Sequence, residues 1–110
     1  MPRESLKTLS ESMYYVLLSL TEERCGIEIM SKVFEISGGR VQIGPGTLYT
    51  MLSKFESNKM IRCVSAEPKR KNYIITPYGS GLLKEEYDRI ARLASDGRRI
   101  VEELDEQRTL

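Results

Sequence analysis

The C-terminal third of the chain restricts its architecture most. Thr76-Pro77 reads as a helix start, because threonine caps a helix N-terminus and proline suits its first position. Leu83, Tyr87, Ile90, Ala94, Gly97, Val101 and Leu104 then recur at spacings that alternate between four and three. That is the seam of three heptads in a two-stranded coiled coil. Gly97 costs the helix about 1 kcal/mol relative to alanine, and permits either a close backbone approach or a bend. About thirty helical residues span about 45 Å, whereas a body of roughly 75 residues is only about 30 Å across. A helix folded back on its own domain accounts for the near part of the stripe. The distal part overhangs, and pairing with a second copy is the commonest way to cover it.

The preceding residues divide into short elements. Leu6, Leu9, Met13, Val16, Leu17 and Leu20 follow helical spacing from about Ser5 to Leu20. Tyr14, Tyr15 and Leu18 add apolar groups on other sides, so this helix is expected to bury more than one face. Met13 and Leu17 are candidates to meet the second subunit there. After a polar break at Thr21–Arg24, a second helix runs from Cys25-Gly26 to about Ser37, with Ile29, Met30, Val33 and Phe34 inward and Gly38-Gly39 as its stop. Val41 and Ile43 share one side of an extended stretch. A third helix covers Thr47 to about Asn58, with Leu48, Leu52 and Phe55 inward. Its other faces carry Thr47, Thr50, Ser53, Lys54 and Ser57, with no acid before Glu56.

Two strand-like stretches follow, Met60–Val64 and Asn72–Thr76. The loop between them, Ser65–Lys71, ends in Lys69-Arg70-Lys71. Such a loop is either a solvated hairpin tip or, beside a short polar helix, a wing that grips phosphate. Charge distribution supports the second use: from Gly38 to Gly79 seven Lys/Arg stand against two Glu, a net +5, although the whole chain carries only +1. The expected fold is therefore mostly α with a small β-hairpin wing: a winged helix-turn-helix domain over 1–76 and a long C-terminal dimerisation helix over 77–110.

Several chemistries lack their residues. Histidine is absent, no phosphate-binding glycine loop has the required spacing or lysine, and no nucleophile stands near a base. The chain is read as a non-enzyme with no metal and no cofactor. Glu85-Glu86 reads as a pair of surface charges. Cys25 and Cys63 are either structural thiols or a redox-sensing pair. No apolar run approaches the ~20 residues of a membrane span, and no signal-peptide core follows Arg3 and Lys7, so a cytoplasmic location is expected. A winged domain that serves protein interaction instead of DNA binding is the alternative from another class.

Gly46-Thr47-Leu48-Tyr49 followed by Leu52, Phe55 and Met60-Ile61 resembles the recognition-helix signature of the PadR family of transcriptional regulators. Gly26-Ile27-Glu28-Ile29 resembles that family's Gly-Tyr-Glu-Ile segment, and Arg70-Lys71-Asn72-Tyr73 through Thr76 and Gly79 resembles its wing. The short tail is similar to the subgroup with a single C-terminal helix. The resemblance implies a homodimeric repressor on a pseudo-palindromic double-stranded operator, released by a small aromatic effector. By position it implies that Thr47, Tyr49 and Thr50 meet the major groove, that Lys54 lies near a phosphate, and that Lys69, Arg70 and Lys71 hold the backbone. Tyr49 alternatively packs inside the domain. Dimerisation falls to Met13, Leu17, Leu83, Tyr87, Ile90, Ala94, Val101 and Leu104. Tyr14, Tyr15 and Tyr87 are candidates for an effector pocket, with core packing as the other use. Where the family tends to have glycine after the recognition helix, this chain has Lys59, so Asn58 is expected to take the left-handed turn.

Overall fold

Ser10 decides where the first helix begins. In the computed structural model, which describes residues 9–67 and 70–109, its hydroxyl accepts a hydrogen bond from the Met13 amide at 3.2 Å and opens helix α1, Glu11–Ser19. Leu9 therefore precedes the helix, which is shorter than the apolar periodicity suggests. Of that expectation, Ser5–Thr8 lies outside the described residues. A two-residue strand β1 (Arg24–Cys25) leads directly into α2 (Gly26–Ile36), and α3 covers Pro45–Ser57. Strands β2 (Ile61–Glu67) and β3 (Arg70–Ile75) form the hairpin, and α4 runs over Pro77–Thr109.

The sheet is antiparallel, with β3 between β1 and β2. The polar break before α2 thus hides a strand, fixed by the pairs Arg24–Tyr73 and Cys25–Asn72. The hairpin differs from expectation too. Its strands continue to Glu67 and resume at Arg70, so Arg70 and Lys71 belong to β3 and not to a loop. Cross-strand pairing extends an apolar-poor stretch that no alternating pattern marks. Val64 is an extra residue on β2, because Cys63 faces Tyr73 while Ser65 faces Asn72.

That register decides the cysteine question. Cys25 lies opposite Asn72 on one side of β3, and Cys63 lies opposite Tyr73 on the other. Cross-strand partners share a face and successive residues alternate, so the two thiols project from opposite faces of the sheet. Two strand spacings also separate their backbones by about 9–10 Å, beyond the ~7 Å reach of a disulfide. A disulfide between Cys25 and Cys63 of one chain is excluded in this fold.

The core gathers Val16, Leu17 and Leu20 from the first helix and its end, Ile29 and Val33 from α2, and Leu48, Leu52 and Phe55 from α3. Met60, Ile61, Tyr73 and Leu83 close it, and Val41 and Ile43 turn inward from irregular backbone. Helices α2 and α3 end in the same device. After α2, Gly38 takes φ 62° while the amides of Gly38 and Gly39 bond back to the Glu35 and Phe34 carbonyls at 3.2 and 2.8 Å. After α3, the amides of Lys59 and Met60 reach the Glu56 and Phe55 carbonyls at 3.0 and 2.9 Å. These are Schellman caps, whose C′ residue must be left-handed. Asn58 remains at φ −91° as the C-cap, and Lys59 carries the left-handed turn at φ 62°. Hydrogen-bond geometry, and not side-chain preference, chooses that position.

Thr76 and Gly79 fasten α4 to this turn. The Thr76 hydroxyl accepts from the Gly79 amide at 3.0 Å and donates to the Lys59 carbonyl at 2.8 Å, while the Thr76 amide donates to the Met60 carbonyl at 2.9 Å. Gly79 lies so close to the Met60 carbonyl that a Cβ there would overlap it. Beyond Glu86 the helix leaves the body. Its 33 residues span about 50 Å, and from Tyr87 to Gln107 no side chain is buried. Leu17 (0% exposed) and Leu83 (8%) are committed to the chain's own core, so neither has a surface to offer a second subunit. Met13 is half-buried against that core. Glu86 also departs from expectation. It is only 8% exposed, and Arg89 grips its carboxylate with two hydrogen bonds of 3.0 and 2.7 Å. The Arg89 hydrogen bond holds that carboxyl below its ordinary range, against the effect of burial.

Candidate nucleic-acid interface

Helix α3 sorts its side chains by angle. Leu48, Leu52 and Phe55 are buried, which at 100° per residue leaves Thr47, Thr50, Lys54 and Ser57 along the opposite stripe. All four are exposed, and no acid shares that stripe. Gly44 and Pro45 start the helix with no acidic residue in its first turn, so its amide end is left positive. The Thr50 hydroxyl donates to the Gly46 carbonyl at 3.0 Å, which leaves the oxygen's lone pairs outward. Lys54 makes no ion pair among the described residues. Short hydroxyls around one cation can approach a duplex edge closely and accept or donate.

Tyr49 lies on a different flank, with Ser53 and Glu56. Its ring leans over Gly26 at the start of α2, where a Cβ would collide with the phenol oxygen. It is half packed and half open (49% exposed). This contact links two sequence motifs that are far apart in the chain: glycine at 26 makes room for tyrosine at 49.

Between α3, the start of α2 and β3 runs a groove of about 790 Å³, bordered by Gly26, Glu28, Tyr49, Ser53, Arg70 and Lys71. The cations on its wing side are not equivalent. Lys71 is exposed and unpaired among the described residues, and it shares its face of β3 with Tyr73. Tyr73 is buried in the core with Leu52 and Phe55 of α3, so that face looks toward α3. Burial foremost raises its phenol, and Glu56, Cys63 and Tyr49 add to the rise. Arg70 shares the other face with Asn72. Its guanidinium donates to Glu28 at 3.0 Å, and Asn72 donates to Glu23 at 2.9 Å. Lys69 lies outside the described residues.

Glu28 holds two elements at once. Besides Arg70, it accepts the Cys25 amide at 3.0 Å at the start of α2. Hydrogen bonds from Cys25, the backbone one foremost, and then Arg70 hold its carboxyl below the ordinary range. Sequence reasoning placed Gly26-Ile27-Glu28 at a helix start but missed this role, because the partner strand is more than forty residues away. A glutamate three residues after the N-cap was the only local signal.

The candidate effector tyrosines lie elsewhere. Tyr14 and Tyr15 are half-buried and meet edge to face at 5.8 Å. Arg40 donates to the Tyr15 hydroxyl at 2.8 Å and pairs with Glu11 at 3.2 Å. Burial raises the Tyr14 phenol, and Tyr87, Tyr15 and Glu86 add to the rise where α1 meets α4. On the overhanging part of α4, Tyr87, Ile90, Ala94, Val101 and Leu104 are all exposed, and so are Leu93 and Ile100, which the heptad count left out.

Residues 16–85 match the transcriptional regulator PadR-like family. A curated relative, an uncharacterized 37.1 kDa protein in transposon TN4556 of Streptomyces fradiae, is 32% identical over 69 residues, 63% of this chain. The chain spans about a fifth (19%) of that relative's length. Among solved structures, a transcriptional regulator from Clostridium thermocellum superposes with a TM-score of 0.68 at 22% identity, covering 83% of this chain and 92% of that one. A PadR-like transcriptional regulator from Bacillus cereus gives 0.65 at 21% identity, over 82% and 89%. Both likenesses establish the winged-helix fold with its long C-terminal helix.

Proposed function

The chain belongs to the PadR-like family of transcriptional regulators, and from that premise we propose that it is a homodimeric, sequence-specific DNA-binding regulator. The outer stripe of α3 carries the reading: Thr47, Thr50, Lys54 and Ser57 are aligned, exposed and free of acid, with Lys71 on the adjoining wing face. Two such helices in a symmetric dimer read half-sites about 34–36 Å apart or a multiple of that. Pairing through Tyr87, Ile90, Ala94, Val101 and Leu104 covers the apolar stripe that α4 leaves open. The regulator acts as a repressor, and a small aromatic effector bound near Tyr14, Tyr15 and Tyr87, where α1 meets α4, releases it. No helix among the described residues is long and apolar enough to cross a membrane. That agrees with a regulator that works at DNA in the cytoplasm.

The test is binding to a labelled duplex carrying the chain's own upstream region, across a salt series with unrelated DNA as competitor. Competitor-resistant binding that weakens steeply with salt supports the reading. Binding no tighter than to unrelated DNA, repeated after selection from random duplexes, refutes it. Sedimentation equilibrium of the Ile90→Asp, Leu104→Asp double variant tests the dimer. A variant that stays dimeric places the seam elsewhere.

A further inference from the structure

Arg70 and Lys71, the last two of the wing's three consecutive cations, look interchangeable in sequence, but alternation along β3 divides them. Lys71 stands with Tyr73, which packs in the core against Leu52 and Phe55 of α3, while Arg70 and Asn72 stand on the other face. Both polar residues of that second face are held by a glutamate near β1: Arg70 by Glu28 at 3.0 Å, Asn72 by Glu23 at 2.9 Å. Among the described residues β1 pairs only with Asn72 and Tyr73, and no backbone pairing ties the distal wing, where Glu67 pairs with Arg70, to the start of α2. Glu28 supplies that attachment from an oxygen pair already oriented by the Cys25 amide.

We propose that the Arg70–Glu28 contact is a clasp that sets the angle of the wing against the start of α2, which makes Arg70 a positioning residue and leaves the phosphate contact to Lys71. The inference rests on the DNA-binding reading. In free solution the clasp holds the Arg70 guanidinium against Glu28. On the duplex, it holds Lys71 beside the outer stripe of α3 without itself displacing a counterion.

Salt dependence separates the two roles, because each phosphate neutralised contributes about 0.9 to the slope of log affinity against log salt. Lys71→Ala is expected to lower the slope by about that amount. Arg70→Ala is expected to weaken binding by about two- to fivefold, the scale of an exposed ion pair, with the slope unchanged. Glu28→Gln, which keeps an acceptor for the Cys25 amide, is expected to show the same loss, and the double variant is expected to be no worse than either single one. The assay uses the full chain and a short double-stranded DNA. Thermal unfolding serves as the folding control. Amide exchange of the free protein is the independent readout: both clasp variants should expose the Glu67–Arg70 end of the hairpin to exchange while leaving α3 protected. A slope that falls for Arg70→Ala as for Lys71→Ala, or tighter binding by Glu28→Gln, overturns the proposal. If the unaltered chain binds no DNA at all, the DNA-binding reading fails by itself. The exchange result then decides the clasp: faster exchange sustains it and unchanged exchange refutes it.

Discussion

Gly79→Ala pits helix propensity against tertiary packing. Alanine is favoured over glycine inside a helix by up to about 1 kcal/mol, so local reasoning predicts stabilisation. At this site a Cβ would overlap the Met60 carbonyl oxygen and lie 2.9 Å from both the Met60 carbonyl carbon and Ile75 Cγ1. The obstacle is mainly backbone, which cannot rotate away as a side chain would. Overpacking of this kind costs about 1–3 kcal/mol. Relief requires α4 to move off the turn, which stretches the bonds from Thr76 to the Met60 and Lys59 carbonyls, 2.9 and 2.8 Å long. Those two contribute about 0.5–1.5 kcal/mol each. The net expectation is a loss of roughly 1–5 kcal/mol once the helix gain is subtracted. Gly81, two residues on, is the control, because an added Cβ meets nothing within 4 Å there. Gly81→Ala is expected to gain a few tenths to about 1 kcal/mol. Denaturant unfolding at one fixed protein concentration reads both. If Gly79→Ala stabilises the fold as Gly81→Ala does, the close approach of α4 to Met60 is not a constraint and the reasoning fails.

Lys59→Gly is expected to raise stability by about 1 kcal/mol, because it removes a left-handed non-glycine residue without touching the Schellman bonds; a lower unfolding midpoint would contradict this. Glu86 has a depressed carboxyl pKa when folded, so its contribution to stability is present above the unfolded value near 4.5 and is lost as pH falls through the folded one. Glu86→Gln should therefore flatten the acid limb of the stability profile, read as denaturant midpoints from neutral pH down to about pH 3. Oxidation should leave no disulfide between Cys25 and Cys63 of one chain, and peptide mapping by mass spectrometry after mild peroxide would reveal one if the register were wrong.

Much of the fold is legible because it follows from periodicity and end signals. Thr76-Pro77, Gly38-Gly39 and the inward triplet Leu48, Leu52 and Phe55 each act within one turn or cap, where backbone geometry leaves few alternatives. The overhang of α4 follows from length alone. The polar stripe of the third helix is equally local, since removing the buried face from a known period leaves Thr47, Thr50, Lys54 and Ser57.

Other features depend on partners distant in sequence. Strand β1 is two residues long and exists only because β3 lies beside it, so no pattern announces it. Leu17 and Leu83 satisfy both a core and a seam by spacing, and only packing assigns them to the core. Arg70 and Lys71 are chemically alike as neighbours. The pleat of β3 sends them to opposite faces, and Glu28, brought beside the wing by the fold, separates a held cation from a free one. Sequence alone thus determined the four helices, the hairpin, their order and the overhang of the last helix, because those rest on local backbone preferences and burial periods. Tertiary structure decided which face each charge occupies and which apolar residues of the last helix stay exposed, because both depend on contacts that form only once the elements are packed.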